Sequence, residues 1–141
     1  MPTRLSKATI LVVDDEVSLR QLLVRQLRNE GYQVLEAGYG MEALDVARTS
    51  PEPIHLVLSD IRMPGMRGTE LARRLVAEHP EVRVVLMSAH PVDELTSVRD
   101  SRGVITVLSK PFDGQTMLAL VNLVLGTPPV AADPSTAGPA L

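Results

Sequence analysis

Two patterns of hydrophobic and polar positions alternate along this chain. In the first, short runs of consecutive apolar residues end in polar or turn-forming residues, which is typical of strands buried on both faces. Five such runs cover residues 9–13, 32–37, 54–59, 82–87 and 104–108. In the second, apolar residues recur every three or four positions, as on one face of an amphipathic helix. The alternation predicts an α/β fold with a five-stranded, all-parallel sheet and right-handed crossovers.

Five helical segments are predicted between and after these strands. The first ends at Gly31 and carries apolar residues at helical spacing, which are Leu19, Leu22, Leu23 and Leu27, with Arg20, Arg25, Gln26 and Arg28 on its polar face. The others cover about residues 41–50, 69–79, 91–100 and 113–125, and the segment 91–100 has the weakest periodicity. Thr69 is expected to be the N-cap residue of the third helix, because its hydroxyl can accept a hydrogen bond from the first turn.

The composition divides the chain into one domain and two terminal segments. With 141 residues, the chain has room for a single domain with a sizeable core. Residues 1–7 are polar and patternless, and they form an N-terminal extension before the domain at 8–126. Residues 127–141 hold four prolines and almost no charge, so we expect a disordered Pro/Ala-rich tail.

Charge and composition exclude several classes of partner. The net charge is −3 and the aromatic residues are only Tyr32, Tyr39 and Phe112, so direct nucleic-acid binding is not expected. The apolar runs fall far short of the roughly 18 residues that a membrane span requires. The first run is interrupted by Asp14 and Asp15 before it could form a signal peptide, so the cytoplasm is the expected compartment. The absence of cysteine excludes disulfides and thiol nucleophiles.

Polar side chains of different kinds end four of the predicted strands. They are Asp14-Asp15, Asp60, Ser88 and Lys110. Because parallel strands end at the same edge of a sheet, these side chains should converge in one cleft. Two carboxylates about 4 Å apart repel by roughly 4 kcal/mol at an effective dielectric near 20, so a cation must belong to the site. Oxygen ligands without histidine or cysteine favour a partly hydrated Mg²⁺.

This set of groups is suited to phosphoryl chemistry. Mg²⁺, the Lys110 ammonium and the Ser88 hydroxyl would surround one exposed carboxylate and stabilise the negative charge of a transferring phosphoryl group. Asp60 would be the nucleophile, because carboxylates form aspartyl-phosphate intermediates. No strong general base is evidently placed to hydrolyse the product, so the acyl phosphate should persist long enough to be recognised.

Four motifs resemble, in order and spacing, those of the CheY-like response-regulator receiver domain of two-component signalling. They are Ile10–Glu16 (ILVVDDE), Ser59–Gly65 (SDIRMPG), Met87–Ala89 (MSA) and Ser109–Phe112 (SKPF). The resemblance covers residues 8 to about 125. It implies a doubly wound, flavodoxin-like sheet of strand order 2-1-3-4-5 with helices on both faces. It also implies a cis peptide bond between Lys110 and Pro111.

The resemblance further implies that Asp60 is the phosphoacceptor of a Mg²⁺-dependent switch. Asp15, Asp60 and the main-chain carbonyl of Arg62 match the Mg²⁺ ligands of the family, and Asp14 matches an outer-shell acid. The donor would be the phosphohistidine of a sensor histidine kinase or a histidine phosphotransfer protein. The chain would then be a signalling switch for a downstream protein target, which catalyses its own phosphorylation and dephosphorylation, rather than an enzyme with a separate substrate.

Two further cleft residues match the family, and one nearby residue departs from it. Ser88 matches the hydroxyl that moves toward the phosphoryl group, and Lys110 matches the lysine that pairs with it. Val107 stands three residues before the lysine, where the family usually has an aromatic side chain that changes orientation. We therefore expect phosphorylation without an aromatic relay.

Two other functional classes compete with the switch. A phosphohydrolase that forms an aspartyl phosphate would need a second acid two residues after the nucleophile, where this chain has Arg62. A phosphorylation-independent interaction module would gain nothing from a charged cleft that destabilises the fold. A phosphorylation assay distinguishes the three classes. A stable phosphate adduct indicates the switch, rapid phosphate release indicates the phosphohydrolase, and neither result indicates the interaction module.

The final helix is predicted to have an apolar outer face. Met117, Val121 and Val124 share one stripe that should pack on the sheet. The residues that project to the opposite side are Ala119, Asn122 and Leu123. No charged residue lies between positions 113 and 133. A homodimer through this last helix is therefore expected.

Overall fold

The computed structural model describes residues 8–90 and 103–126 of the chain. The expectations for the extension at 1–7, the helix at 91–100 and the tail at 127–141 lie outside the described residues. The elements within the described ranges are β1 (Thr9–Val13), α1 (Val17–Asn29), β2 (Gln33–Ala37), α2 (Gly40–Thr49), β3 (Leu56–Asp60), α3 (Gly68–Glu78), β4 (Arg83–Ser88), β5 (Val104–Ser109) and α4 (Gly114–Gly126). None of these helices has the length and apolar character needed to cross a membrane.

The strands form one parallel sheet in the order β2-β1-β3-β4-β5, which confirms the expected fold class and strand order. β1 and β3 lie in the interior of the sheet and are buried along their whole length. Successive residues of β1 point to opposite faces, so Leu11 and Val13 belong to one apolar cluster and Ile10 and Val12 to another. The continuous apolar runs in the sequence therefore correspond to strands that need a cover on both faces.

Helices provide that cover on both faces of the sheet, as expected. On one face, α2 and α3 contribute Leu44 and Leu71, which are fully buried, to the first cluster. On the other face, α1 and α4 contribute Leu27 and Met117, which are also fully buried, to the second cluster. This packing leaves the carboxyl ends of the strands at one edge of the sheet.

The start of α3 differs from the prediction. Thr69 is not the N-cap residue, because the helix begins at Gly68 and is preceded by Arg67, whose side chain makes no capping hydrogen bond. The N–H of Gly68 donates to the carbonyl of Ile61 at 2.8 Å. A Cβ on Gly68 would lie 2.3 Å from the carbonyl oxygen of Asp60. This distance is a steric clash, so only glycine fits at this position. Close packing against the end of β3 therefore determines where this helix begins.

The strands near the predicted cleft also extend further than their apolar runs. Asp60 and Ser88 are the last residues of β3 and β4. Main-chain hydrogen bonds continue past them, since the N–H of Ile61 donates to the carbonyl of Met87 at 3.1 Å and that of Lys110 donates to the carbonyl of Ser88 at 2.8 Å. The polar residues at these ends are thus held by the sheet itself.

The final helix α4 packs as its pattern predicts. Met117, Val121 and Val124 are buried, whereas Leu123 is 67% exposed. Asn122 is not a purely outward residue, because its side-chain oxygen accepts a hydrogen bond from the hydroxyl of Tyr32. The outer side of α4 therefore combines an exposed leucine with an amide that already has a partner.

Candidate functional site

The carboxyl ends of four strands lie together at one edge of the sheet. Their register pairs Val13 with Ser59, Asp60 with Met87, and Ser88 with Ser109. The acids that follow β1 therefore lie beside the end of β3, and Lys110 follows β5 beside the end of β4. The structure thus brings together the strand ends that carry the residues predicted from the sequence.

Three carboxylates form the acidic part of the site. Ligand oxygens of Asp14, Asp15 and Asp60 all lie within 4.8 Å of one another. Asp14 is fully buried, Asp60 is 9% exposed, and Asp15 faces solvent. Oxygen donors with one exposed member form a donor set that suits a hard, partly hydrated cation such as Mg²⁺.

The ammonium group of Lys110 connects the two least exposed carboxylates. Its Nζ lies 3.3 Å from Oδ2 of Asp14 and 3.3 Å from Oδ2 of Asp60. Burial alone would lower the pKa of Lys110, but the negative charges of Asp14 and Asp60 outweigh burial and raise that pKa above its usual value. Lys110 therefore stays protonated at neutral pH and supplies a fixed positive charge between the two acids.

The carboxyl group of Asp60 is less acidic than usual. Burial raises its pKa, since burial disfavours the charged form. The Lys110 ammonium and the main-chain N–H of Arg62 lower the pKa of Asp60, whereas the charge of Asp14 adds to the rise. A further cation at this position would favour the ionised form of Asp60.

Ser88 places a hydroxyl group at the same edge of the sheet. Ser88 is 2% exposed, and its Oγ accepts a hydrogen bond from the main-chain N–H of His90 at 2.8 Å. Met87, the residue before it, is the register partner of Asp60. The Ser88 hydroxyl is thus held in place by the main chain at the end of β4.

Arg20 in α1 stabilises the turn that carries Asp14 and Asp15. Nη1 of Arg20 donates to the main-chain carbonyl of Asp14 at 2.7 Å, and its Nε donates to Oε1 of Glu36 at 3.0 Å. Within the turn, the N–H of Glu16 donates to Oδ1 of Asp14 at 2.9 Å. The sequence pattern assigned Arg20 only to the polar face of α1, so this role was missed.

Gly68 was also missed as a functional residue, and Arg62 is only partly explained. The close approach of Gly68 to the carbonyl of Asp60 fixes the end of the strand that carries this acid. The sequence did offer a signal, because Gly68 stands directly before Thr69, a residue type that caps helices better. The N–H of Arg62 contacts the Asp60 carboxylate and its side chain is exposed, whereas the expected metal contact of its carbonyl remains a prediction.

Val107 belongs to the apolar layer rather than to the polar cleft. It pairs with Leu86 in the sheet and packs, partly buried, against the cluster on the face covered by α2 and α3. It therefore adds bulk but no hydrogen-bonding group near the site. The peptide bond between Lys110 and Pro111 is cis, as the family resemblance implied.

Comparisons with known proteins all indicate one family. Residues 10–122 match the family described as Response regulator receiver domain. Sporulation initiation phosphotransferase F of Bacillus subtilis is 40% identical over 106 residues, which cover 74% of this chain and 82% of that protein. Sensor kinase CckA of Brucella abortus is 33% identical over 118 residues, which cover 84% of this chain but only 12% of that kinase.

Solved structures lead to the same family. The receiver domain of the hybrid histidine kinase CckA aligns with a TM-score of 0.72 at 35% identity, over 84% of this chain and 99% of that one. The response regulator protein TrrA of Thermotoga maritima, solved in complex with Mg²⁺-BeF, aligns with a TM-score of 0.71 at 31% identity. That alignment covers 83% of this chain and 98% of the other.

Proposed function

The chain belongs to the response-regulator receiver domain family, and from this premise we propose that it is the phosphoacceptor of a two-component phosphorelay. Asp60 receives the phosphoryl group from a phosphohistidine on a sensor histidine kinase or a histidine phosphotransfer protein. One observation carries the proposal: Nζ of Lys110 lies 3.3 Å from a carboxylate oxygen of both Asp14 and Asp60 within the acidic cluster. A cation fixed between acids at a strand end is suited to receive phosphoryl oxygens.

Phosphoryl transfer to Asp60 requires few groups from the protein. One carboxylate oxygen bonds to phosphorus while the bond between phosphorus and the imidazole nitrogen of the donor breaks, and the electron pair of that bond stays on the imidazole. Lys110 and the Ser88 hydroxyl stabilise the negative charge on the phosphoryl oxygens in the transition state. The raised pKa of Lys110 keeps this ammonium charged throughout.

The donor set of the site fits Mg²⁺. Asp15, Asp60 and the main-chain carbonyl of Arg62 would hold the ion, with Asp14 as an outer-shell acid, and the exposed side of Asp15 leaves room for bound water. When bound, Mg²⁺ supplies positive charge that offsets both the repulsion among the acids and the charge of the phosphoryl group. Chelation with EDTA should therefore suppress phosphorylation almost completely.

The proposed function is tested by incubation with Mg²⁺ and acetyl phosphate, followed by intact-protein mass spectrometry. We expect one stable phosphate adduct, which Asp60→Asn abolishes. The matched control Asp45→Asn changes an exposed aspartate on α2 and should label normally. Rapid phosphate release without an adduct would indicate the phosphohydrolase, and neither adduct nor release would indicate an interaction module. Labelling of Asp60→Asn at the wild-type rate would remove Asp60 as the acceptor.

The output of the switch is proposed to be a protein contact. Phosphorylation would alter the end of β4 at Ser88 and, through it, the surface offered to a downstream protein target. The exposed Leu123 on α4 supports a homodimer as one such contact. Sedimentation of wild type and Leu123→Glu, with and without acetyl phosphate, tests this contact, and Leu22→Glu on α1 is the control because Leu22 is also exposed. Monomeric behaviour of every sample would exclude the homodimer.

A further inference from the structure

An open groove of about 750 Å³ lies between the start of α2 and the exposed side of α3. The loop that follows β3 forms its third wall. The lining residues, which define the α2–α3 groove, are Met41, Gly65, Met66, Arg67, Thr69, Glu70, Arg73 and Arg74. None of them belongs to the acidic cluster or to the Ser88 and Lys110 positions, so the groove is a separate feature of the surface.

Two methionines form the apolar part of the α2–α3 groove. Met41 is 52% exposed, although apolar side chains of this size are more often buried. Met66 packs so closely on Gly40 that a Cβ on Gly40 would lie 2.8 Å from both Cβ and Sδ of Met66. Because methionine side chains are flexible and polarisable, they adapt to apolar side chains of different shapes. The groove therefore offers an adaptable contact for a single apolar side chain.

Arginines surround these methionines, and one carboxylate balances only part of their charge. Oε2 of Glu70 accepts hydrogen bonds from Arg73 at 2.6 Å and from Arg74 at 2.8 Å. These hydrogen bonds lower the pKa of Glu70 to about 2, so its carboxylate is charged at neutral pH. Among the described lining residues, Arg73 and Arg74 share this one carboxylate, so the three side chains together carry a charge of two minus one, or +1. The whole chain, by contrast, has a net charge of −3.

The arginine side chains remain accessible to another molecule. The side chain of Arg73 is 70% exposed and that of Arg74 is 44% exposed, even though both bond to Glu70. A guanidinium group has five N–H donors in a planar fork, so a bond to one carboxylate leaves donors for a second. The rim of the groove is thus suited to carboxylates that flank an apolar side chain.

We propose that the α2–α3 groove binds an acidic segment of a partner protein that carries one apolar side chain. The apolar side chain contacts Met41 and Met66, and neighbouring aspartate or glutamate side chains pair with Arg73 and Arg74. Charge complementarity selects the occupant, and the methionines favour a polypeptide over a nucleic acid because none of the described residues that line the groove is an aromatic residue on which bases could stack. The proposal goes beyond the phosphoacceptor function and does not depend on it.

Binding is measured by NMR of the full chain with ¹³C-methyl-labelled methionine. The probes are a 12-residue peptide of glutamates around a central leucine, the same peptide with lysine for glutamate, the same peptide with serine for leucine, and a 12-nucleotide DNA strand. The methyl signals of Met41 and Met66 should shift saturably with the first probe, whereas the buried Met87 and Met117 should not. We expect the lysine and serine peptides to bind about tenfold more weakly, which corresponds to about 1.4 kcal/mol.

Charge-neutralising variants separate groove binding from general electrostatics. Arg73→Gln combined with Arg74→Gln should weaken the glutamate peptide about tenfold, and the matched control Arg25→Gln, at an exposed arginine of α1, should not. Unchanged Met87 and Met117 signals establish that the variants are folded. Equal binding of the lysine peptide or the DNA strand, unaltered affinity of the double variant, or no saturable shift with the glutamate peptide would each overturn the proposal. Labelling of Asp60 in the double variant is expected to be normal, so failure here is distinguishable from failure of the phosphoacceptor assignment.

Discussion

Replacement of Arg20 by alanine should weaken both the fold and the metal site, because this side chain makes two different bonds. Its ion pair with Glu36, which is 41% exposed, is of a kind that contributes about 0.2–1 kcal/mol. Its hydrogen bond to the main-chain carbonyl of the fully buried Asp14 spans 2.7 Å and is charge-assisted, a kind that contributes about 1.5–3 kcal/mol. Together they predict that Arg20→Ala lowers the free energy of unfolding by about 2–4 kcal/mol.

Urea denaturation followed by circular dichroism separates the two bonds. Glu36→Gln removes only the ion pair, so it should cost less than about 1 kcal/mol. Arg20→Lys keeps a charge but lacks the planar fork that reaches two acceptors, so its loss should fall between those of the other variants.

Mg²⁺ titration by calorimetry tests whether the bond to Asp14 also positions the acidic turn. Residues that orient metal ligands from outside typically change affinity by about 10–100-fold when lost, and we expect about tenfold weaker Mg²⁺ binding by Arg20→Ala. Glu36→Gln should bind Mg²⁺ as wild type does. Equal losses of stability and of affinity in Arg20→Ala and Glu36→Gln would refute the reasoning, because the carbonyl bond would then contribute nothing.

Three further variants test other parts of the site. Gly68→Ala should lower the free energy of unfolding by about 1–3 kcal/mol in urea denaturation, because its Cβ would lie 2.3 Å from the main-chain oxygen of Asp60 in β3. In the control Gly126→Ala, the new Cβ meets no atom within 4 Å, so stability should not change. Equal stability of the two variants would contradict this. Lys110→Met should lose more stability at pH 7 than near pH 4. Folding raises the pKa of Asp60 above its usual value of 3.8, so this acid lowers the stability of the fold as the pH rises above 3.8. Loss of the Lys110 ammonium raises the pKa of Asp60 further and so enlarges this effect. Unfolding curves at both pH values measure this, and the same loss at each would argue against it. Changing the exposed Arg62 and His90 together to alanine should alter the half-life of the phosphate adduct several-fold in a mass-spectrometric time course, since both lie two residues after site residues, and an unchanged half-life would exclude this role.

The fold and the composition of the cleft could be predicted because each depends on local patterns. Apolar runs ended by polar residues indicate buried parallel strands, and all such strands end at one edge of the sheet. Asp60, Ser88 and Lys110 are far apart in the chain, yet each lies at the carboxyl end of its strand or directly after it. The core stripe of α4 was predictable for a similar reason, since helical periodicity places Met117 and Val121 on one side.

Other parts could not be predicted because they depend on which elements pack together. Arg20 is one of several polar residues on α1, and only the packing of α1 beside the end of β1 and beside β2 gives it its two acceptors, the carbonyl of Asp14 and the carboxylate of Glu36. Gly68 precedes a better capping residue, Thr69, and only the end of β3 excludes a larger side chain there. Asn122 was assigned to the outer side of α4, and only the position of Tyr32 shows that its amide is engaged.

The two apolar clusters have no residue in common, because the continuous sheet separates them. Substitutions of helix residues in one cluster should therefore combine additively in stability with substitutions of helix residues in the other, since distant sites without shared partners are independent. The exposed side of α4 and the α2–α3 groove lie on opposite sides of this partition. For the engineering of signalling circuits, either surface could be given a new partner specificity without re-optimising the other.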